Sequence, residues 1–212
     1  MKYAKELRQV FGQTPVFSTR DVAIRFRDKG MTRDYAKELL HVLSKKGEVS
    51  RIRKGAYSFS RDAQVVGAAF SPYYYGLHDA LSLRNLWEQE TNPVVITPRR
   101  VRPGVRTFLG GNYLVKRIAP KMFFGFECMK YGDFWINVAT PEKTLVDFAY
   151  FNQRLPETAL AELTAAVDEK KLAKTLAKCS AKLRRKVRKM LASQPKSPQQ
   201  PLRRLRLTNA FR

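Results

Sequence analysis

Cysteine is scarce in this chain: two residues, Cys128 and Cys179, stand in 212, and neither has metal-ligand spacing around it. A disulfide scaffold is therefore not expected, and a reducing cytoplasm fits the composition. Histidine is as scarce, with only His41 and His78, which argues against a histidine-based metal site. No run approaches the roughly 18 apolar residues that span a bilayer. The charged start, Met1 to Val10, lacks the apolar stretch of a secretory signal, so a soluble intracellular protein is expected. Glycine-rich phosphate loops, nucleophile elbows and Cys–His clusters are also missing, so neither a cofactor nor an enzymatic activity is expected.

Negative charge is short as well. Asp and Glu number 18 against 41 Lys and Arg, a formal net charge of +23. Such an excess repels itself in the compact state and attracts polyanions, nucleic acid first and an anionic membrane second. The imbalance is greatest at the end: residues 170 to 212 hold 15 Lys and Arg and no Asp or Glu. That stretch reads either as a solvated, solubilising end or as a second polyanion contact. With 44% hydrophobic and 11% aromatic residues, the chain can nonetheless bury a core.

The first 62 residues carry an ordered set of signals. Lys2 to Phe11 has helical spacing at Ala4, Leu7, Val10 and Phe11. Ser18 with Asp21 resembles a capping box and opens a second helix that is expected to run to about Asp28, closed by Gly30. Thr32 starts a third helix with Ala36, Leu39, Leu40 and Leu43 as its apolar stripe, ended by Gly47. Two extended runs, Glu48 to Ile52 and Ala56 to Phe59, flank Arg53-Lys54-Gly55 and read as a hairpin. Three helices followed by a basic hairpin is the order of a winged helix-turn-helix.

In such a unit the third helix would enter the major groove with its N-terminal residues at the base edges. Arg33, Lys37, His41 and Ser44 fall at three- and four-residue steps on the face opposite the apolar stripe. Arg33 suits a bidentate contact to guanine, and Lys37 reaches guanine or phosphate. Thr32 and Arg20 are expected on phosphates. Arg51, Arg53 and Lys54, at the hairpin, would lie along the backbone or in an adjacent minor groove. Asp34 and Glu38, on or beside the same face, would repel phosphate and so work against purely nonspecific binding.

Beyond residue 63 the expectation is a mixed α/β domain to about 155, a basic helical region over 156–192, and a flexible tail over 193–212 marked by Pro195, Pro198 and Pro201. Val65 to Phe70 and Leu77 to Leu86 read as helical. Val94 to Thr97, Val105 to Leu109, Tyr113 to Ile118, Met122 to Glu127 and Phe134 to Ala139 read as strands. Thr140-Pro141-Glu142 is a helix start, followed by an apolar face at Leu145, Val146, Phe148 and Ala149. Helices are expected over Glu157 to Asp168, Lys170 to Ala177 and Ala181 to Ala192. The fold class is thus α+β.

Four blocks carry a family likeness: the helix-turn-helix start, Arg51-Ile52-Arg53-Lys54-Gly55-Ala56-Tyr57, Tyr74-Tyr75-Gly76-Leu77-His78-Asp79-Ala80-Leu81, and Ala139-Thr140-Pro141-Glu142-Lys143-Thr144-Leu145-Val146-Asp147. In their order and spacing the chain resembles the AbiEi family, the antitoxin and autorepressor half of type IV toxin–antitoxin systems. The resemblance covers residues 1 to about 150. It implies a non-enzymatic protein whose N-terminal winged helix represses its own operon at promoter repeats of double-stranded DNA. The remainder would counter a toxin resembling nucleotidyltransferases. The very basic end departs from the common family pattern, and a regulator acting without a toxin is the alternative.

Other classes stay in view. A nuclease could recruit Asp133, Glu142 and Lys143, but the strand-borne acid pair that would hold Mg²⁺ is missing. Glu142 and Asp147, five apart, sit about 140° around a helix and form no carboxylate pair. Glu142 reads better as complementing a helix N-terminus, and Tyr73, Tyr74 and Tyr75 as packing residues. An RNA- or ribosome-associated basic protein is a third class. Operator sequence, toxin and oligomeric state are not encoded legibly.

Overall fold

The computed structural model describes residues 3–192 and is mixed α and β. The tail expected over 193–212 lies outside the described residues. Helix α1 (Ala4–Phe11), helix α2 (Thr19–Arg25) and helix α3 (Arg33–Lys45) are followed by strands β2 (Ser50–Arg53) and β3 (Ala56–Ser58). A two-residue strand, β1 (Phe17–Ser18), pairs antiparallel with β3 and completes a three-stranded sheet in the order β1-β3-β2. The capping box forms in full: Ser18 Oγ accepts from Asp21 N at 3.1 Å, and Asp21 Oδ2 accepts from Ser18 N at 2.7 Å. Helix α2 stops three residues earlier than expected, and Arg27–Lys29 tightens into a 3-10 turn that Gly30 ends in the left-handed region. Leu7, Phe17, Val22, Phe26, Ala36, Leu40 and Leu43 fill the core of this unit.

The second unit is built on a six-stranded sheet in the order β6-β7-β5-β4-β9-β8. Its strands are β4 (Tyr74–Tyr75), β5 (Val94–Thr97), β6 (Gly104–Phe108), β7 (Gly111–Arg117), β8 (Phe126–Tyr131) and β9 (Phe134–Ala139). The central strands β4 and β5 are buried along their whole length, which explains why neither alternates apolar with exposed polar residues. Val65–Phe70 belongs to a 3-10 stretch (Ala63–Phe70) rather than an α-helix, and α4 covers Leu77–Leu83. Here Gly67 lets the chain pass against the Tyr73 and Tyr75 rings, where a Cβ would collide with both. The strand expected over Met122 to Glu127 is a correction: Pro120 opens a 3-10 turn ending at Met122, Gly125 adopts φ 74°, and pairing begins only at Phe126.

Helix α5 (Pro141–Phe151) starts at Thr140, whose side chain accepts from Lys143 N, and every residue from Glu142 to Ala149 is buried. It is enclosed because α4, α6 (Glu157–Ala165), α7 (Glu169–Ala177) and α8 (Ala181–Ala192) all pack against it. Leu160, Leu163, Leu183 and Val187 therefore share one core with the sheet, so the helices of 156–192 are continuous with the unit that precedes them. The helix expected from Glu157 to Asp168 ends at Ala165, because Asp168 caps α7 by accepting from Lys171 N at 2.9 Å.

The two units meet at the hairpin. Ile52 of β2 and Ala56 of β3 belong to the larger core, not the smaller one. Tyr113 of β7 donates its hydroxyl to Ile52 O at 3.2 Å, and Arg53 Nε donates to Ala69 O at 2.7 Å.

Candidate nucleic-acid interface

Helix α3 separates its faces cleanly. Ala36, Leu39, Leu40 and Leu43 are buried, while Arg33, Lys37 and His41 are exposed and Ser44 is half-buried. At about 100° per residue these four span an arc of roughly 80°. Thr32 fixes the start, its Oγ1 accepting from Tyr35 N at 3.2 Å, which places Arg33 in the first turn where it projects beyond the cap. Lys37 pairs with Asp34 at 2.6 Å, and this bond followed by the charge itself holds the Asp34 carboxyl below its usual range. Both partners are exposed, so the pair yields at little cost to a stronger anion. The repulsion of phosphate expected from Asp34 is thereby muted.

The hairpin turn sits beside helix α2: Thr19 N donates to Gly55 O at 3.2 Å. This contact makes the backbones of Arg20 and Lys54 neighbours, and both side chains are exposed, as is that of Arg51. Gly55 adopts φ 77°, a left-handed turn position that favours glycine. Arg53 departs from the other eight expected residues. The register slips between Arg51 and Arg53, a bulge that breaks the alternation and re-aims Arg53 toward the second unit. Its guanidinium lies 5.6 Å from the Phe70 ring centre besides holding Ala69 O, so it serves the joint.

Sequence reasoning missed a further group. The connection from β5 to β6 carries Arg99, Arg100 and Arg102, and β6 carries Arg106, whose guanidinium lies 5.2 Å from the same Phe70 ring. The run Pro98-Arg99-Arg100-Val101-Arg102-Pro103 was legible as a basic loop. Its place next to the hairpin was not.

The buried charged groups among the described residues are bound into the architecture. Lys143 and Asp147 are paired at full burial, and Tyr74 donates its hydroxyl to Asp147 Oδ2 at 3.0 Å. Burial raises the Asp147 carboxyl, and the Lys143 ammonium and the Tyr74 hydroxyl oppose it. Glu142 Oε1 accepts from Asp168 N at 3.1 Å. Glu142 thus ties α5 to the start of α7. Asp133 stands before β9 and Glu142 after it, so a six-residue strand of roughly 20 Å separates them and no nuclease-like cluster assembles. Among the described residues, no three of His, Cys, Asp and Glu gather as metal ligands. Asp79, nearly sealed, accepts from Gln64 Nε2 at 3.0 Å and Val94 N at 2.9 Å, and burial pushes its carboxyl up to about 7. It borders a cleft of about 600 Å³ lined also by Asp62, Glu90 and Tyr131. His78 stands edge-on to Trp87 and Phe148, and burial lowers its ring below the usual range.

No protein-family model matches the chain, and no curated protein does. Among solved structures, the chain is similar to the crystal structure of the RV2827C protein from Mycobacterium tuberculosis. The TM-score is 0.57 at 13% sequence identity, over 93% of this chain and 83% of the other. At that identity the likeness is one of fold. No helix among the described residues is long and apolar enough to cross a membrane.

Proposed function

We propose that this chain is a sequence-specific, double-stranded-DNA-binding transcriptional regulator. Its first 62 residues act as a winged helix-turn-helix, with α3 in the major groove and the β2–β3 turn as the wing. The observation that carries this reading is the exposed face of α3 that presents Arg33, Lys37 and His41, held outward by a fully buried opposite face. Thr32 and Arg20 would hold phosphates, Ser44 would border the contact, and Arg51 and Lys54 would follow the backbone beside the groove. Arg53 we assign to the joint.

The autorepressing antitoxin role belongs to the same proposal and rests on the resemblance to the AbiEi family. Most residues of the Tyr74–Leu81 and Ala139–Asp147 blocks are buried, so they support a shared scaffold and leave contact with a toxin to other surfaces. The deciding experiment selects duplexes from a random library with the purified full chain, then competes the winner against random duplex and structured RNA at matched salt. A selected motif preferred by about a thousandfold over random duplex supports the reading, since specific binders reach such ratios. Equal affinity for RNA and every duplex overturns it. Co-expression with the product of an adjacent nucleotidyltransferase-like gene tests the antitoxin half. Unrelieved toxicity there leaves a regulator without a toxin.

A further inference from the structure

The cleft beside Asp79 runs against the charge of the rest of the chain. Four segments wall it: Asp62 and Gln64 at the start of the 3-10 stretch, Asp79 and Leu83 of α4, Glu90, Thr91 and Pro93 of the connection to β5, and Tyr131 ending β8. The chain has 41 Lys and Arg against 18 Asp and Glu, yet none of the described residues lining this cleft is cationic and three are carboxylates. Among the described residues, none of those three forms an ion pair. Asp62 and Asp79 have neutral donors instead. Asp62 Oδ1 accepts from Gln64 N at 2.7 Å, and the Asp79 carboxylate accepts from Gln64 Nε2 and Val94 N.

The same wall has hydrogen-bonding capacity to spare. Gln64 is 8% exposed, and with its Nε2 held by Asp79 its Oε1 is left buried without a partner. Thr91 Oγ1 is likewise buried and unpartnered. Buried polar atoms without partners are costly and few in folded proteins, so two in one wall point to donors supplied from outside the chain. Ionised carboxylates only accept, so those donors belong to a cation. A bare metal ion does not fit, because among the described residues no three of His, Cys, Asp and Glu gather as ligands. The carboxylates are instead distributed around about 600 Å³, a volume suited to a small organic molecule. Ala63, Leu83 and Pro93 add apolar surface on which methylenes can lie. Asp79, only 1% exposed, requires a slender group to reach it.

We propose that this cleft binds a small organic polycation, a diamine or polyamine. Asp62, Asp79 and Glu90 take its ammonium groups, and Gln64 Oε1 and Thr91 Oγ1 accept from its remaining N–H donors. Occupancy ties the 3-10 stretch, α4, the connection to β5 and the end of β8 together. The site lies outside the helix-turn-helix and does not rest on the DNA-binding reading.

Its electrostatics give the test a second readout. Burial first, then Asp62 and Asp79, raises the Tyr131 hydroxyl, and Asp79 also bears on Tyr75 of β4. No cation is among the groups that shift Asp79, whose carboxyl titrates at about 7. An ammonium beside it favours the ionised form, so affinity rises with pH across that value.

Calorimetric titration of the full chain with putrescine and with spermidine, in the absence of nucleic acid, tests the proposal. Saturable binding at pH 8 is expected, with a melting temperature that rises with ligand and a weaker affinity at pH 6. Asp79→Asn should weaken binding about tenfold and remove the pH dependence. Glu90→Gln, at an exposed position where the fold tolerates it, should weaken binding about threefold. Glu162→Gln, exposed on α6 and away from the cleft, removes the same charge and should change nothing. Absence of saturable binding up to about 10 mM amine overturns the proposal. So does equal weakening by Glu162→Gln, which would mean diffuse attraction to surface acids. Binding of Mg²⁺ in place of the amine, lost in Asp79→Asn, overturns the choice of ligand. No duplex is present, so each of these results leaves the regulator reading where it stands.

Discussion

Arg33 has no ion-pair partner among the described residues, whereas Lys37, one turn further along α3, has Asp34. Changing Arg33 to Ala should cost about 1–3 kcal/mol on the selected duplex and leave random duplex nearly unaffected. Equal losses on both would demote it to a phosphate contact. Asp79 gives a prediction of another kind. Its carboxyl titrates at about 7 in the folded chain against an ordinary value of 3.8, so the folded state binds the extra proton between those values. Stability is then fully present below about pH 4 and declines as pH rises toward 7, by about 4 kcal/mol at most. Gln64 Oε1 is buried without a partner, and an amide at position 79 can satisfy it after the Gln64 amide turns over. Asp79→Asn should therefore flatten the melting temperature between pH 5 and 8 and raise it at the alkaline end. A variant that keeps the wild-type pH profile would place the titration elsewhere. Asp147→Ala strands the Lys143 ammonium at full burial and should cost about 3–5 kcal/mol in chemical denaturation. A loss below about 1 kcal/mol would mean that Lys143 finds water.

At the scale of elements, the hairpin is the piece that both units share. Tyr113→Phe removes the hydroxyl held by Ile52 O inside a buried joint and should cost about 1 kcal/mol. Amide exchange should quicken in β2 and β3 more than in α1, and uniform exchange would show that the bond does not hold the hairpin. The same element shows what the sequence made legible. Local signals placed the caps at Ser18, Thr32 and Thr140 and the turn at Gly55, since each depends on neighbours within a few residues. The short strands β1 and β4 were invisible, because two residues become a strand only through partners far along the chain. Arg53 was read as an exposed wing residue because the sequence places it in the turn with Lys54 and Gly55; the structure keeps it in β2, where the bulge after Arg51 turns it toward the second unit. The burial of Asp79 and Lys143 was not legible, because it depends on distant elements closing over them. The arginines after β5 needed the sheet order to bring them beside the hairpin.

The whole molecule carries +23 and, among its described residues, few ion pairs to offset it. Self-repulsion should dominate at low salt, where the Debye length is about 30 Å and charges across the whole molecule feel one another. Raising salt from about 10 to about 150 mM should therefore raise the melting temperature in the absence of nucleic acid. A fall instead would mean that native ion pairs outweigh the repulsion. Because Ile52 and Ala56 are interior residues of the larger core, the loop at Lys54 cannot swivel independently of the six-stranded sheet. Under the proposed DNA-binding role, one copy seated in a groove would thus fix the heading of its whole body, like a key whose bow turns with its blade. Where two copies share an operator, the spacing between half-sites is then dictated by how those bodies abut, and a half-turn insertion between the sites should abolish joint occupancy rather than be absorbed by bending within either chain.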